Sequence, residues 1–327
     1  MASYMFRRFL YMLVLIVLGS MVAFLVITLP PGDYISSYVA QLQSQGTIAG
    51  DDVIQSLRES YGLDQPLYVQ YAKWAWKMLH GDMGYSFQFM RPVADLVGER
   101  LGMTIVVALG ALLLTYLIAI PIGIYSAVHQ YSRSDYAFTA IAFFGVSMPN
   151  FLLALILLVI LNRNFGLDAG GLFSFQFRDA PWSWDKLVNL LEHLPLPVIA
   201  IGLAGTAAIT RVTRAMLLDE LNKPYVATAR AKGLTETKLL LKYPVRVALN
   251  PVVSTMGWAL PSIFSGATIV SIVLNLPTVG PLLYQALMVE DMFLAGSIVV
   301  ITIGLTAVGM LLSDILLAWL DPRIHFE

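Results

Sequence analysis

Six stretches of this chain are apolar for long enough to cross the roughly 30 Å hydrocarbon core of a bilayer as helices. They cover residues 9–29, 103–128, 136–161, 196–217, 252–274 and 295–320, the fourth being the least apolar. Arg7 and Arg8 precede the first run, as basic residues precede a signal peptide. That run is longer than the usual apolar region of about 7–15 residues, and Leu29-Pro-Pro-Gly32 is no small-residue cleavage site, so a retained helix is expected.

The polar segments have patterns of their own. Within 31–101, Asp51 or Asp52 can cap a helix carrying Val53, Ile54, Leu57 and Tyr61 on one face. Gly62-Leu-Asp-Gln-Pro66 then breaks the chain, and a second helix over 67–79 carries Tyr68, Tyr71, Trp74 and Trp76, residues suited to a membrane–water interface. This segment reads either as a cap that receives a partner or as a pair of interfacial helices shielding the bundle, the second being favoured. The loop over 162–193, with Phe173, Phe175, Phe177, Trp182 and Trp184, suits the mouth of a pathway and an interfacial anchor equally. The expected organisation is therefore 1–30 (N-terminus and first span), 31–101 (an extracytoplasmic helical segment) and 102–327 (five further spans, with a cytoplasmic loop at about 218–250).

Composition agrees with a polytopic all-α membrane protein. Hydrophobic residues make up 58% and charged residues 13%, against about 25% charged in soluble domains. A net charge of -1 argues against nucleic acid as a partner. With no cysteine, thiolate metal sites and a cysteine nucleophile are excluded, and the four histidines lack metal-ligand spacing. Twelve of the 20 basic residues fall in segments that are cytoplasmic if the N-terminus is inside: Arg7, Arg8, Arg133, Arg323 and eight between Arg211 and Arg246. The remaining eight are spread over longer segments that also hold 14 acids, so the positive-inside rule puts both termini in the cytoplasm.

The densest basic segment lies between the fourth and fifth runs, and a polar connection of that length inside a bundle is usually functional. It opens Tyr225-Val-Ala-Thr-Ala-Arg-Ala-Lys-Gly-Leu234. On a helix, Ala227, Thr228, Ala229 and Ala231 offer a surface open to close approach. Gly233 suits a left-handed helix end, and Leu234 places an apolar knob beside it. From Thr235 a second helix carries Lys238, Lys242 and Arg246 as one basic stripe. A helix, a glycine break and a helix make an elbow that either inserts into a partner's cleft or lies on anionic lipid.

That segment resembles the EAA-loop signature of ABC importer permeases, in the variant of the dipeptide/oligopeptide family. The resemblance continues through Gly62-Leu-Asp-Gln-Pro66, Gly81-Asp-Met-Gly-Tyr-Ser86, Pro92-Val-Ala-Asp95, Ser147-Met-Pro-Asn-Phe151, Asn275-Leu-Pro-Thr-Val-Gly280 and Asp321-Pro-Arg-Ile324. Two positions depart from it: Ala227 stands where other permeases have Glu, and Tyr243-Pro244 where the peptide family often has His and a small residue. The resemblance implies a type I ABC importer permease fold of six transmembrane helices in a bacterial or archaeal cytoplasmic membrane. It also implies a second homologous permease, two ABC ATPase subunits, an extracytoplasmic solute-binding protein and surrounding membrane lipid. The coupling loop would comprise Tyr225, Ala227, Thr228, Ala229, Arg230, Ala231, Lys232, Gly233 and Leu234. ATP and Mg would be bound by the partner subunits, because the chain contains no Gly-x-x-x-x-Gly-Lys-Ser/Thr loop; no cofactor, metal or catalytic residue is expected here.

The remaining polar positions read as structural. Asp314, inside the sixth run, suits a structural ion pair better than a solute site, and Arg211 and Arg214 mark a membrane interface. Gly202, Ala204, Gly205, Ala207 and Ala208 suit close helix packing. A stand-alone secondary transporter or channel would want broken or charged spans at mid-membrane, which the runs lack. Peptide is the expected cargo, with an oligosaccharide or other bulky solute as the alternative.

Overall fold

The computed structural model describes residues 2–29, 55, 65–86, 88–166 and 170–320. The expected helix after Asp51, most of the Gly62–Pro66 break and the closing Asp321–Ile324 motif lie outside these residues. The chain divides into two units, one built from Thr104–Pro277 with Val308 onward, the other from Ala2–Met103 with Thr278–Ala307.

The smaller unit contains α1 (Ala2–Thr28), α2 (Leu67–Leu79), the strands β1 (Tyr85–Ser86) and β2 (Arg91–Pro92), the start of α3 (Val93–Val128), α12 (Val279–Met288) and the first part of α13 (Met292–Leu320). The α2 aromatics divide by helical spacing. Tyr68 and Trp76 are exposed, but Trp74 is buried and Tyr71 half-buried against α1. Tyr71 shares a hydrogen bond with Ser20 at 2.9 Å and meets the Phe24 ring edge-on at 5.5 Å. Of the four aromatics expected at an interface, only Tyr68 and Trp76 are therefore exposed; Tyr71 and Trp74 are packing residues. The strands pair antiparallel, Tyr85 opposite Pro92 and Ser86 opposite Arg91. Val93, Leu96, Val97, Leu282, Ala286, Leu294 and Ile298 form the apolar core behind them.

One buried carboxylate organises this unit. Asp291 is fully buried and caps α13, its Oδ1 accepting from the Leu294 N–H at 3.2 Å. Its Oδ2 accepts from the Ser86 hydroxyl at 2.6 Å and the Gln88 N–H at 3.3 Å. Gly84 makes the approach possible: at φ +80 a side chain would be strained, and a Cβ there would lie 3.0 Å from the Phe293 ring.

In the larger unit, α3 continues into α4 (Arg133–Ser147), α5 (Asn150–Phe165), α6 (Trp184–His193), α7 (Pro195–Leu221), α8 (Pro224–Ala231), α9 (Glu236–Lys242), α10 (Pro244–Ser254) and α11 (Met256–Val273). Helix α7 is its axis, packing on α4, α5, α10 and α11. Its small residues permit close approach to α3: a Cβ on Gly202 would lie 3.0 Å from the Ala111 carbonyl, and the Thr115 hydroxyl donates to the Gly202 carbonyl at 3.0 Å. The packing role expected for this patch holds at Gly202 and Ala207, whereas Ala208 is exposed.

Four helices among the described residues are long and apolar enough to cross a membrane: Phe6–Thr28, Val93–Val128, Pro195–Leu221 and Met292–Ile315. The third expected run is instead two helices, α4 and α5, of 15 and 16 residues. They part at Met148–Pro149 because proline offers no N–H and pushes the preceding residue out of the helical region, to φ -93, ψ 127. The fifth run spans the end of α10 and all of α11, which meet at Thr255.

The 162–193 segment is also more ordered than its composition suggests. Phe175, Trp182 and Trp184 are exposed, but Phe173 is buried. The buried Lys186 donates to the Ala180 carbonyl at 2.5 Å, with its ammonium 5.0 Å from the Phe173 ring and 5.4 Å from that of Trp182. A cation between two ring faces and a carbonyl closes the loop on itself. Asn189 adds a second tie, accepting from the Ser174 N–H and donating to its hydroxyl, both at 2.9 Å.

Candidate functional site: the polar elbow

The segment following α7 forms the elbow its sequence suggests. Pro224 occupies the first turn of α8, where the missing N–H is harmless and the fixed φ favours a start. Helix α8 ends at Lys232, and Gly233 turns the chain at φ +78, its N–H donating to the Arg230 carbonyl at 3.0 Å. Helix α9 starts after Thr235 and stops at Tyr243, ahead of Pro244.

The elbow has a core of its own. Val226, Ala229 and Leu239 are buried together, with Leu234 and Tyr243 packed against them. This changes two expectations. Ala229 belongs to the inward face because it follows Val226 by three residues on one side of α8. Leu234 is half-buried rather than an outward knob, since the glycine turn folds it back onto that cluster. The outer surface comprises Ala227, Thr228, Arg230, Ala231, Lys232 and Gly233, all exposed. On it the Thr228 hydroxyl bends back to the Pro224 carbonyl at 3.0 Å, leaving Arg230 and Lys232 as its long side chains. The basic stripe is also divided: Lys238 and Lys242 lie on α9, while Arg246 lies on α10 beyond the Tyr243 break.

Charged contacts brace this surface. Arg230 forks onto Glu236 across Gly233, Nε at 2.5 Å and Nη2 at 3.1 Å. The guanidinium lowers the Glu236 carboxyl below its ordinary range, yet both side chains are more than half exposed, so the pair aligns the turn more than it stabilises the fold. At the elbow's entry Tyr225 donates to Glu220 at 2.6 Å; burial, followed by that carboxylate, pushes the phenol pKa upward. Lys223 pairs with Asp219 at 3.3 Å.

Several contributors are not apparent from residue type alone. Glu236 lies in a stretch where only the cations stand out, and Val226 and Leu239 look like incidental apolar residues in a polar loop. Asp135 does carry a signal, the Ser132-x-x-Asp135 spacing of a helix start, and the Ser132 hydroxyl indeed accepts from the Asp135 N–H at 3.1 Å.

Long apolar helices carrying a braced helix–glycine–helix elbow define a polytopic membrane protein with an exposed polar element. Residues 119–326 match the family described as binding-protein-dependent transport system inner membrane component, and residues 1–108 match its N-terminal membrane-component family. The chain belongs to this family and is a permease component of such a transport system. It is 35% identical to the oligopeptide transport system permease protein AppB of Bacillus subtilis, over all of both chains. It is 31% identical to the peptidoglycan transport system permease protein YejB of Agrobacterium fabrum, covering 100% of this chain and 99% of that one. A putative peptide permease protein of Brucella ovis is 33% identical over 99% of each chain.

Proposed function

We propose that this chain forms half of the translocation pore of an ATP-driven importer of peptides, with the 222–243 elbow as the element that docks on an ATPase subunit. The observation that carries the reading is the exposed surface of α8 and Gly233, backed by its own core and aligned by Arg230–Glu236. Such a surface fits a protein groove better than a lipid headgroup layer, because the Arg230 guanidinium is already engaged by Glu236 and small residues lie beside it. A second homologous permease completes the pore, two ATPase subunits hold ATP and Mg, and an extracytoplasmic binding protein delivers the solute. Peptide as the cargo follows from the names of the Bacillus and Brucella relatives. The name of the Agrobacterium relative favours a second cargo, peptide-bearing glycan fragments.

In this reading six spans cross the inner membrane, α4–α5 and α10–α11 serving as the third and fifth, with both termini cytoplasmic and 31–101 outside. The chain has no cysteine, so single cysteines report topology cleanly. A membrane-impermeant maleimide added to whole cells is expected to label Ala180→Cys and not Thr235→Cys; the reverse pattern would overturn the topology. In proteoliposomes, uptake of a labelled pentapeptide is expected to need the binding protein, the ATPases and ATP together, and this chain purified alone is expected to hydrolyse no ATP. Uptake by this chain without ATPase subunits would instead indicate a stand-alone transporter.

A further inference from the structure

At the root of the elbow, α7 is joined to α4 by an ion pair that the docking surface does not require. Asp135 lies in the first turn of α4 with its side chain only 3% exposed. Arg214 of α7 takes both of its oxygens, Nε at 3.1 Å from Oδ1 and Nη2 at 2.9 Å from Oδ2. The Tyr131 N–H adds a third donor at 3.0 Å, and Tyr131 itself sits at φ +63, so the carboxylate also holds a strained turn. A guanidinium forked onto a buried carboxylate is directional in a way that exposed surface pairs are not, although the Arg214 side chain itself is 27% exposed.

The surroundings give this pair its role. Between α3 and α7 the backbones nearly touch, a Cβ on Gly123 falling 2.6 Å from the Thr213 Cβ. Where α4 packs on α7, a crevice lined by Ser126 of α3, Thr139 and Ala142 of α4, and Ala207, Thr210 and Arg211 of α7 runs beside Arg214. One turn beyond Arg214, Leu217 is fully buried against Ala127, Val245 and Ala248, with Leu240 of α9 at the edge of the cluster. A pull on the elbow is therefore delivered to α7 through a packed apolar joint. At the elbow end of the α4–α7 contact, beside the crevice, the forked Asp135–Arg214 pair ties α7 to the first turn of α4.

We propose that Asp135 and Arg214 are a positioning pair that transmits movement of the elbow from α7 into α4, and so to the Met148–Pro149 joint ahead of α5. This rests on the elbow being the ATPase-docking element. The Arg214 hydrogen bonds hold the Asp135 carboxyl below its ordinary value of 3.8, against the opposing effect of burial. A lowered folded-state value keeps the carboxylate's contribution at every pH above the ordinary value and loses it only as pH falls through the folded one, so the link stays charged throughout the neutral range.

The test uses the complete transporter in proteoliposomes, reading labelled-pentapeptide uptake per ATP hydrolysed, a ratio unaffected by how much protein folds. Asp135→Asn and Arg214→Gln are each expected to lower this ratio about tenfold while the ATPase subunits still co-purify. The double variant is expected to be no worse than either single one, as for groups acting together. Arg214→Lys, keeping the charge but losing the fork, should fall between. An unchanged ratio in a single variant, or losses that multiply in the double, would overturn the proposal. Should Asp135→Asn not reach the membrane, Arg214→Lys decides it by the same ratio. Co-purification of the ATPase subunits with a Gly233→Val chain, measured beside its uptake, addresses the docking reading itself: retained co-purification would overturn that reading without touching the ratio measured for Asp135 and Arg214.

Discussion

Replacing Gly233 by valine is expected to reduce solute uptake by the reconstituted transporter by at least about tenfold, while the chain still reaches the membrane. The reason is backbone conformation, not crowding. Nothing lies within 4 Å of where a Cβ would be built, so a side chain has room. The turn itself is at φ +78, where an L-residue is disfavoured by about 1–2 kcal/mol and a β-branched one more strongly. Relaxing that strain swings α9 relative to α8, withdrawing Leu234 from the Val226–Ala229–Leu239 cluster and opening the Arg230–Glu236 fork. Gly233→Asn separates conformation from contact, because asparagine tolerates the left-handed region but adds bulk to the proposed docking face. Retained uptake in the asparagine variant assigns the valine loss to the turn; loss in both assigns it to the surface. Undiminished uptake with valine would remove the elbow from the coupling pathway.

The largest expected loss of stability comes from Asp291→Ala, at about 3 kcal/mol or more. The change strips α13 of its cap and leaves the Ser86 hydroxyl and the Gln88 and Leu294 N–H groups without their acceptor in a dry site. Asp291→Asn keeps one acceptor oxygen and is expected to lose roughly half as much. Thermal unfolding in detergent, followed by tryptophan fluorescence, measures both; an alanine variant melting with the parent would show that this latch carries no weight. Ser86→Ala combined with Asp291→Ala should add little, since each removes the other's partner.

The parts of the molecule legible in the sequence are those ruled by local chemistry. Apolar length marks the four long apolar helices of the described residues because a bilayer demands internally satisfied backbone over a fixed thickness. Gly233 announces its turn because glycine acts through its own backbone. The interruption at Pro149 was nevertheless hidden by hydrophobicity, as a run can be continuously apolar and still change direction. What could not be read was which way each side chain faces. Trp74 and Trp76 are two residues apart and equally suited to an interface, yet one is buried and the other exposed, a choice made by Phe24 on α1 and Gly296 on α13.

The acids make the same point. As letters, Asp135 marks only a helix start and Asp291 only the charge of its loop, but the fold gives the first a guanidinium 79 residues away and the second a hydroxyl 205 residues away. By itself the sequence determined that this is a helical membrane protein with an elbow between two spans, because hydrophobic length, charge asymmetry and a glycine after a short helix are properties of contiguous residues. Tertiary structure alone decided which elbow residues face outward, which carboxylates are buried and how the elbow is tied to the helices behind it. Those depend on desolvation and donor geometry between segments far apart in the chain, and no local pattern encodes them.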